Sequence, residues 1–117
     1  MDRDTLNTIC RELPGAELSD PWGGGHDAWK VGGKMFACVG IQNRGVSVKT
    51  EGIDAAAFLI DLERAERAPY FHRSWILVPW GLVGDDELRD RVLTSYRIVR
   101  SGLTKKLQVT LDPPPDD

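Results

Sequence analysis

Two lysines stand on either side of a Gly-Gly dipeptide, at Lys30 and Lys34, within the apolar stretch Trp29–Ala37. A Gly-Gly pair between apolar runs is typical of a β-hairpin turn. Ammonium groups at both shoulders of a turn suit contact with DNA phosphates, which supplies affinity without reading sequence. Lysines near turns also keep exposed strands from pairing with other chains. The sequence leaves both interpretations open.

Other basic residues extend this candidate nucleic-acid surface. They are Arg44, Lys49, Arg73, Arg97 and Arg100. Arg44 and Lys49 flank a second predicted turn, and we expect them to act like the first pair. Arg97 and Arg100 fall near the end of the last predicted helix, where positive charge also stabilises the helix dipole without any ligand. The aromatic residues Tyr70, Phe71 and Trp75 suit either base stacking or core packing.

The residues that suit catalysis or metal binding are His26, His72, Cys10 and Cys38. They lack the Cys-x-x-Cys or His-x-x-x-His spacing of common metal sites. The glycines at 23–25 are not followed by the Lys-Ser/Thr of a phosphate loop. We therefore predict no enzyme, no catalytic residue, no metal and no cofactor, with both cysteines reduced and buried.

The composition indicates a single globular domain with a weak charge imbalance. The chain has 117 residues, 15 basic and 18 acidic, for a net charge of −3, which argues against a strong, non-specific polyanion binder. We predict one domain over residues 1–111 and a disordered, acidic, proline-rich tail over 112–117. With no secretory signal and no apolar run long enough to cross a bilayer, we expect a cytoplasmic protein without membrane contact.

Apolar spacing predicts an α+β fold, an antiparallel sheet with helices packed on one face, in the rough order α-β-β-β-α-β(β)-α. The predicted elements are helix 4–13, strands at 29–31, 35–41 and 46–49, helix 54–64, one or two short strands within 69–78, and helix 86–101. Residues 16–25 are expected to be irregular, and residues 104–111 to form a short extension.

Two finer expectations follow from the same patterns. Pairing Val31 with Lys34 across the Gly-Gly turn places Trp29 opposite Phe36. On helix 54–64, the residues expected to share the buried side are Ala55, Phe58, Leu59 and Leu62.

Several strings of the chain resemble the MmcQ/YjbR family, described as predicted DNA-binding proteins with a double-wing motif. The matching strings are Leu13–Gly15, Trp29–Ala37, Ala68–Trp75, Ser95–Val99 and Leu103–Lys106. The resemblance covers residues 4 to 107, but Tyr70–Arg73 stands where relatives carry His-Met-Asn-Lys. It implies a YjbR-like sheet, grouped with secretion-chaperone-like folds.

Two functions remain open at this point. The resemblance implies a small binding protein that attaches to DNA phosphates through its basic hairpins, or wings. The alternative is a protein-interaction module, for which Trp22, Trp29, Trp75 and Trp80 would supply an apolar patch. The partner is therefore DNA or another protein, and the sequence leaves the oligomeric state open.

Overall fold

A computed structural model describes residues 1–115 and contains four helices and six strands within them. The helices are α1 (Arg3–Arg11), α2 (Ile53–Asp61), α3 (Asp85–Ser101) and α4 (Lys105–Gln108). The strands are β1 (Ala16–Ser19), β2 (Asp27–Val31), β3 (Lys34–Val39), β4 (Gly45–Lys49), β5 (Glu66–Arg67) and β6 (Trp75–Pro79). They form one antiparallel sheet in the order β1-β2-β3-β4-β6-β5.

The helices α1, α2 and α3 bury their apolar sides in one core against a single face of the sheet, the helix face. The opposite face, the open face, carries a separate small cluster of Ala68, Trp75 and Leu77, with Met35 and Phe71 packed against it. The predicted α+β class, with helices on one side of an antiparallel sheet, is confirmed.

The β2–β3 hairpin turns at Gly32 and Gly33, whose φ angles of 58° and 79° suit a type I′ turn. The predicted pairing of Val31 with Lys34 is confirmed. The predicted pairing of Trp29 with Phe36 is wrong, because the register shifts and Trp29 pairs with Ala37. The shift makes Phe36 the extra residue of a β-bulge. Phe36 and Ala37 are both fully buried in the core under the helices.

Three other elements differ from their predictions. Residues 16–19 form the edge strand β1 rather than an irregular segment. The partner of β6 is β5 at residues 66–67, upstream of the predicted 69–71. On α2 the buried residues are Ala56 and Leu59, whereas Phe58 and Leu62 are exposed. The structure thus corrects the predicted buried side of this short helix, which is apolar around most of its circumference.

Strands β3 and β4 meet at a short seam, with the register pairs Ala37–Val48 and Cys38–Ser47. Next to these pairs, hydrogen bonds to the fully buried Ser95 of α3 take the place of direct hydrogen bonds between the two strands. Its hydroxyl donates to the Phe36 carbonyl at 2.6 Å and accepts from the Lys49 amide at 2.8 Å. A helix side chain therefore completes the hydrogen bonding of both strands.

A polar network ties α1 to β2. The Trp29 indole donates to the Asn7 side-chain oxygen at 2.9 Å, and the Asn7 amide donates to Asp27 at 2.9 Å. Arg3 forms an ion pair with the same carboxylate at 2.6 Å. These donors and the positive charge hold the pKa of Asp27 below its usual value, against a smaller effect of burial.

Candidate functional site

One end of the sheet brings together four of the seven predicted cations. Lys30 lies opposite Met35, and Lys49 lies opposite Trp75. Both lysines alternate with residues buried under the helices, so they belong to the open face. Lys34 pairs with Val31 and so lies toward the helix side of the same end, and Arg73 precedes β6 by two residues. We call this end of the sheet, with Lys30, Lys34, Lys49 and Arg73, the lysine end.

These four side chains have no ion-pair partner among residues 1–115. The nearest acid by register is Glu17, which lies opposite Lys30 on the neighbouring strand but forms no ion pair with it. Lys34 and Lys49 also line one small depression of about 150 Å³, beside the C-terminal turns of α3. Cations from two hairpins therefore share one surface.

The other three predicted cations are engaged elsewhere. Arg44 forms an ion pair with Glu66 at 2.8 Å. Arg97 donates to the Pro115 carbonyl at 2.7 Å. Arg100 is only 7% exposed and donates to the Tyr96 hydroxyl at 2.9 Å. Arg100 is thus a buried structural residue and does not join the lysine end.

The tip of the first hairpin does not stand free as a wing. A side chain at Gly32 would come within 2.6 Å of Leu103 and 2.8 Å of Leu107, so the turn packs directly on the α3–α4 connection. The φ of 58° at Gly32 also favours glycine there. The turn therefore packs on one side through Gly32, whereas Gly33 is exposed and faces open space.

A groove of about 780 Å³ lies at the other end of the open face. Its floor is the β3–β4 seam, and its walls come from the loops around it. Its lining residues are Trp22, His26, Cys38, Gly40, Ile41, Gln42, Asn43, Arg44, Gly45, Ser47, Pro69, Tyr70, Phe71 and Leu77. We call it the open-face groove; the exposed aromatic and aliphatic side chains on its rim are those of Trp22, Ile41 and Tyr70.

Polar groups on the groove floor and wall lack partners. The Ser47 side chain is 7% exposed and makes no hydrogen bond to any residue that the structure describes. The His26 Nδ1 atom is buried and also lacks a hydrogen bond within residues 1–115; its distance of 3.7 Å to the Asp20 carboxylate is too long for one. Burial raises the pKa of the neighbouring Cys38 thiol to about 11, so that group stays neutral.

Tyr70 has an unusual backbone for a bulky residue. Its φ of 71° lies in the left-handed region, and its side chain is fully exposed. The segment after Tyr70 is held in place, because Phe71 stacks on Trp75 at 4.6 Å and the Ser74 amide donates to His72 Nδ1 at 3.1 Å. A strained residue in an anchored loop is typical of a binding position. Of the three aromatics in this segment, Tyr70 is the one left outside the packed cluster.

The groove residues Ile41 and Ser47 were not predicted as site residues. Trp22 was predicted as part of an apolar patch of four tryptophans, but Trp29 and Trp75 of that set are buried and the patch as predicted does not form. Trp22 follows a proline in a glycine-rich loop, which was the one sequence signal for an exposed aromatic. In the described part of the chain, no group of three or more His, Cys, Asp or Glu side chains is arranged to hold a metal ion. No helical segment of residues 1–115 has the length and hydropathy needed to cross a membrane.

Comparison with known proteins identifies the fold and the family. The family model described as YjbR matches residues 11–98. The chain belongs to the YjbR family. It is similar to the uncharacterized protein YbdF of Escherichia coli O157:H7, at 30% identity over 115 residues, 94% of this chain and 93% of YbdF. Neither the family description nor the name of YbdF states an activity.

A solved structure supports the same architecture. The chain is similar to the crystal structure of Deinococcus radiodurans protein DR2400, which carries a DUF419 domain. The TM-score is 0.81 at 23% identity, over 92% of this chain and 85% of DR2400. At this identity the likeness shows the fold alone. The resemblance to the YjbR family that the sequence motifs indicated is confirmed.

The YjbR-like Ser95-Tyr96 pair acts inside the protein. Ser95 bridges the β3–β4 seam, and the Tyr96 hydroxyl donates to the Pro14 carbonyl at 2.6 Å while its ring meets Phe36 edge-on. The string Ala68–Trp75, by contrast, builds the wall of the open-face groove. The family motifs therefore divide between the two faces of the sheet.

Proposed function

We propose that this chain is a nucleic-acid-binding protein that contacts DNA phosphates through Lys30, Lys34, Lys49 and Arg73. The observation that supports it is the lysine end itself: cations from separate strands lie at one end of the same sheet, without carboxylate partners in the described chain. Because no protein carboxylate is paired with these ammonium and guanidinium groups, a phosphate that binds them does not have to displace one. Their attraction for the phosphate is therefore not reduced by competition.

The mode of contact follows from the packing of the hairpin turn. Because Gly32 packs on Leu103 and Leu107, we expect the turn not to insert into a DNA groove. The lysines instead approach the phosphate backbone from the side. Such contacts position the protein without reading bases. Because the protein as a whole carries a net charge of −3, its attraction for DNA phosphates is confined to the lysine end. We therefore expect a modest affinity for DNA that falls as the salt concentration rises.

Titration of a labelled DNA duplex at several salt concentrations tests this function. The logarithm of the association constant should fall linearly with the logarithm of salt concentration, by about 0.9 for each phosphate neutralised. Lys34→Glu should weaken binding and reduce the slope by about 1. Arg89→Glu is the matched control, since Arg89 is an equally exposed cation on α3, away from the open face; it should leave binding unchanged.

Two results would contradict the proposal. One is a protein that binds neither duplex nor single-stranded DNA at low salt. The other is an equal loss for Lys34→Glu and Arg89→Glu, which would reduce the effect to overall charge rather than a defined surface.

A second candidate function, a protein-interaction module, is favoured by a different observation. Trp22, Ile41 and Tyr70 expose apolar surface together on the rim of one groove, and such patches mark interaction sites. Binding of a partner chain there would be lost in Tyr70→Ala and retained in Lys34→Glu. Duplex binding through phosphates should show the opposite pattern, so the same two variants distinguish the functions.

A further inference from the structure

The open-face groove has the dimensions and lining of a ligand site. Its volume of about 780 Å³ falls within the usual range for pockets that enclose small organic groups. Flat aromatic surfaces stand at its rim, from Trp22 in one loop and Tyr70 in another. The Trp22 ring packs against the His26 ring at 4.8 Å, and the fully exposed Tyr70 ring is free to cover a flat ring that enters the groove.

The groove also offers hydrogen bonds that the protein does not use itself. Ser47 presents a hydroxyl, a donor and an acceptor, from the floor. The Nδ1 atom of His26 is buried at the wall without a partner in the described chain. Buried polar groups are normally satisfied, and an unpaired one costs about 1–3 kcal/mol. A ligand with polar atoms along its edge would satisfy the Ser47 hydroxyl, whereas the His26 Nδ1 atom faces Asp20 at 3.7 Å.

The charges around the groove disfavour a phosphate inside it. Arg44 on the rim is already paired with Glu66. Asp20 lies next to His26, and hydrogen bonds led by that from the Gly25 amide hold the pKa of its carboxyl below the usual value, so it stays ionised. An uncharged ring therefore suits this end of the face, whereas phosphates suit the lysine end.

We propose that the open-face groove receives an unstacked nucleobase of a single-stranded nucleic acid whose phosphates lie on the lysine end. This inference rests on the proposed function and specifies its substrate class. Tyr70 stacks on the base, and the Ser47 hydroxyl contacts its polar edge. Aromatic stacking tolerates every base, because each has a π-face, so binding is selective for single strands rather than for sequence.

The spacing of the two sites supports one continuous strand. Gly45, at the groove, and Lys49, at the lysine end, are the two ends of β4. Four residues of extended strand separate them by about 13 Å. A flexible single strand can place a phosphate at one end of β4 and a base at the other. In a duplex the bases are stacked and paired, so their faces cannot enter the groove.

Fluorescence anisotropy with three labelled probes of equal length tests the inference. The probes are an oligothymidine strand, the same strand without bases, and a duplex. The thymidine strand should bind about 5- to 100-fold tighter than the abasic strand, which is the stacking contribution of one base. Tyr70→Ala should lower thymidine-strand affinity to the abasic level and leave abasic binding unchanged.

Phe58→Ala is the matched control for Tyr70→Ala. Phe58 is also an exposed aromatic, 63% exposed, but lies on α2 at the helix face. It should change binding to none of the three probes. Because Tyr70 is fully exposed, its replacement should leave the folded state intact, and a thermal unfolding curve checks this. Lys34→Glu should weaken thymidine and abasic strands alike.

The possible failures are distinguishable. Equal affinity for thymidine and abasic strands, tighter binding of the duplex, or an unchanged Tyr70→Ala variant would overturn the base site and leave the phosphate contact standing. Absence of binding to every probe at low salt would overturn both proposals, and the groove would then be a site for a protein segment.

Discussion

The two faces of the sheet use the same residue types in opposite ways. Trp29 is 2% exposed and hydrogen-bonded on the helix face, whereas Trp22 is 57% exposed at the groove. Ser95 bridges two strands under α3, whereas Ser47 on the open face has no partner in the described chain. Residue type alone therefore does not separate structural from binding positions; the face of the sheet does.

This contrast also explains which family motifs define the fold. The Ser95-Tyr96 pair satisfies backbone groups of β3, β4 and the Pro14 turn, and such positions are constrained by the interior. The Tyr70 side chain is fully exposed and forms no hydrogen bond with another described residue, although its backbone lies in the left-handed region. A residue that costs conformational energy and provides no internal contact indicates a role outside the molecule.

The largest expected difference between the two faces is the loss of stability when a tryptophan on each face is replaced. Trp29→Ala should lower the free energy of unfolding by about 3–5 kcal/mol, because it removes a buried ring from the core. Trp22→Ala should lower it by less than about 0.5 kcal/mol, because the ring is largely exposed. Urea unfolding followed by circular dichroism measures both. Similar losses in the two variants would show that the groove loop is part of the core.

A serine pair gives an intermediate effect. Ser95→Ala leaves the Phe36 carbonyl and the Lys49 amide without partners, so stability should fall by about 2–4 kcal/mol. Ser47→Ala should change stability by less than about 0.5 kcal/mol, since its hydroxyl has no partner in residues 1–115. Thermal unfolding of the two variants side by side measures the difference. A stable Ser95→Ala protein would contradict the bridging role.

The smallest expected effect is the pH dependence that Asp27 provides. Its pKa is lowered in the folded protein by Arg3 and Asn7, so it stabilises the fold above its unfolded pKa of about 3.9. That contribution is lost as pH falls from about 5 through the folded pKa, and amounts to about 1 kcal/mol for a half-buried pair. Asp27→Asn should destabilise at neutral pH and flatten the decline in acid, as urea midpoints across this range will show.

The sequence predicted the fold where periodicity was strong and failed where tertiary contacts decide. The β2–β3 hairpin and α3 carry clear turn and capping signals, and both formed close to their expected bounds. Strand β1 was missed because an edge strand with half-exposed and exposed residues shows no alternation. The bulge at Phe36 was missed because register counting from a turn assumes an unbroken ladder.

The candidate site was predicted less completely, for a physical reason. The turn signals marked Lys30, Lys34 and Lys49 as candidates, but the strand order that brings them to one end of the sheet came from the structure. Their role in DNA binding stays a prediction. The pairing of Arg44 with Glu66, distant in sequence, depends on how β5 returns to the sheet, which the sequence pattern did not show. The groove needed the whole fold, because its lining comes from loops far apart in the chain.

The seam between β3 and β4 has a consequence for the surface above it. Cys38 and Ser47 are both a register pair of this short ladder and part of the groove floor. Next to this pair, the two strands are joined through the hydroxyl of Ser95, which comes from the helix face of the sheet. The two strands beneath the cleft are therefore joined in part by an interior serine, so a replacement of Ser95, which touches no ligand, would loosen the strands that carry the groove floor.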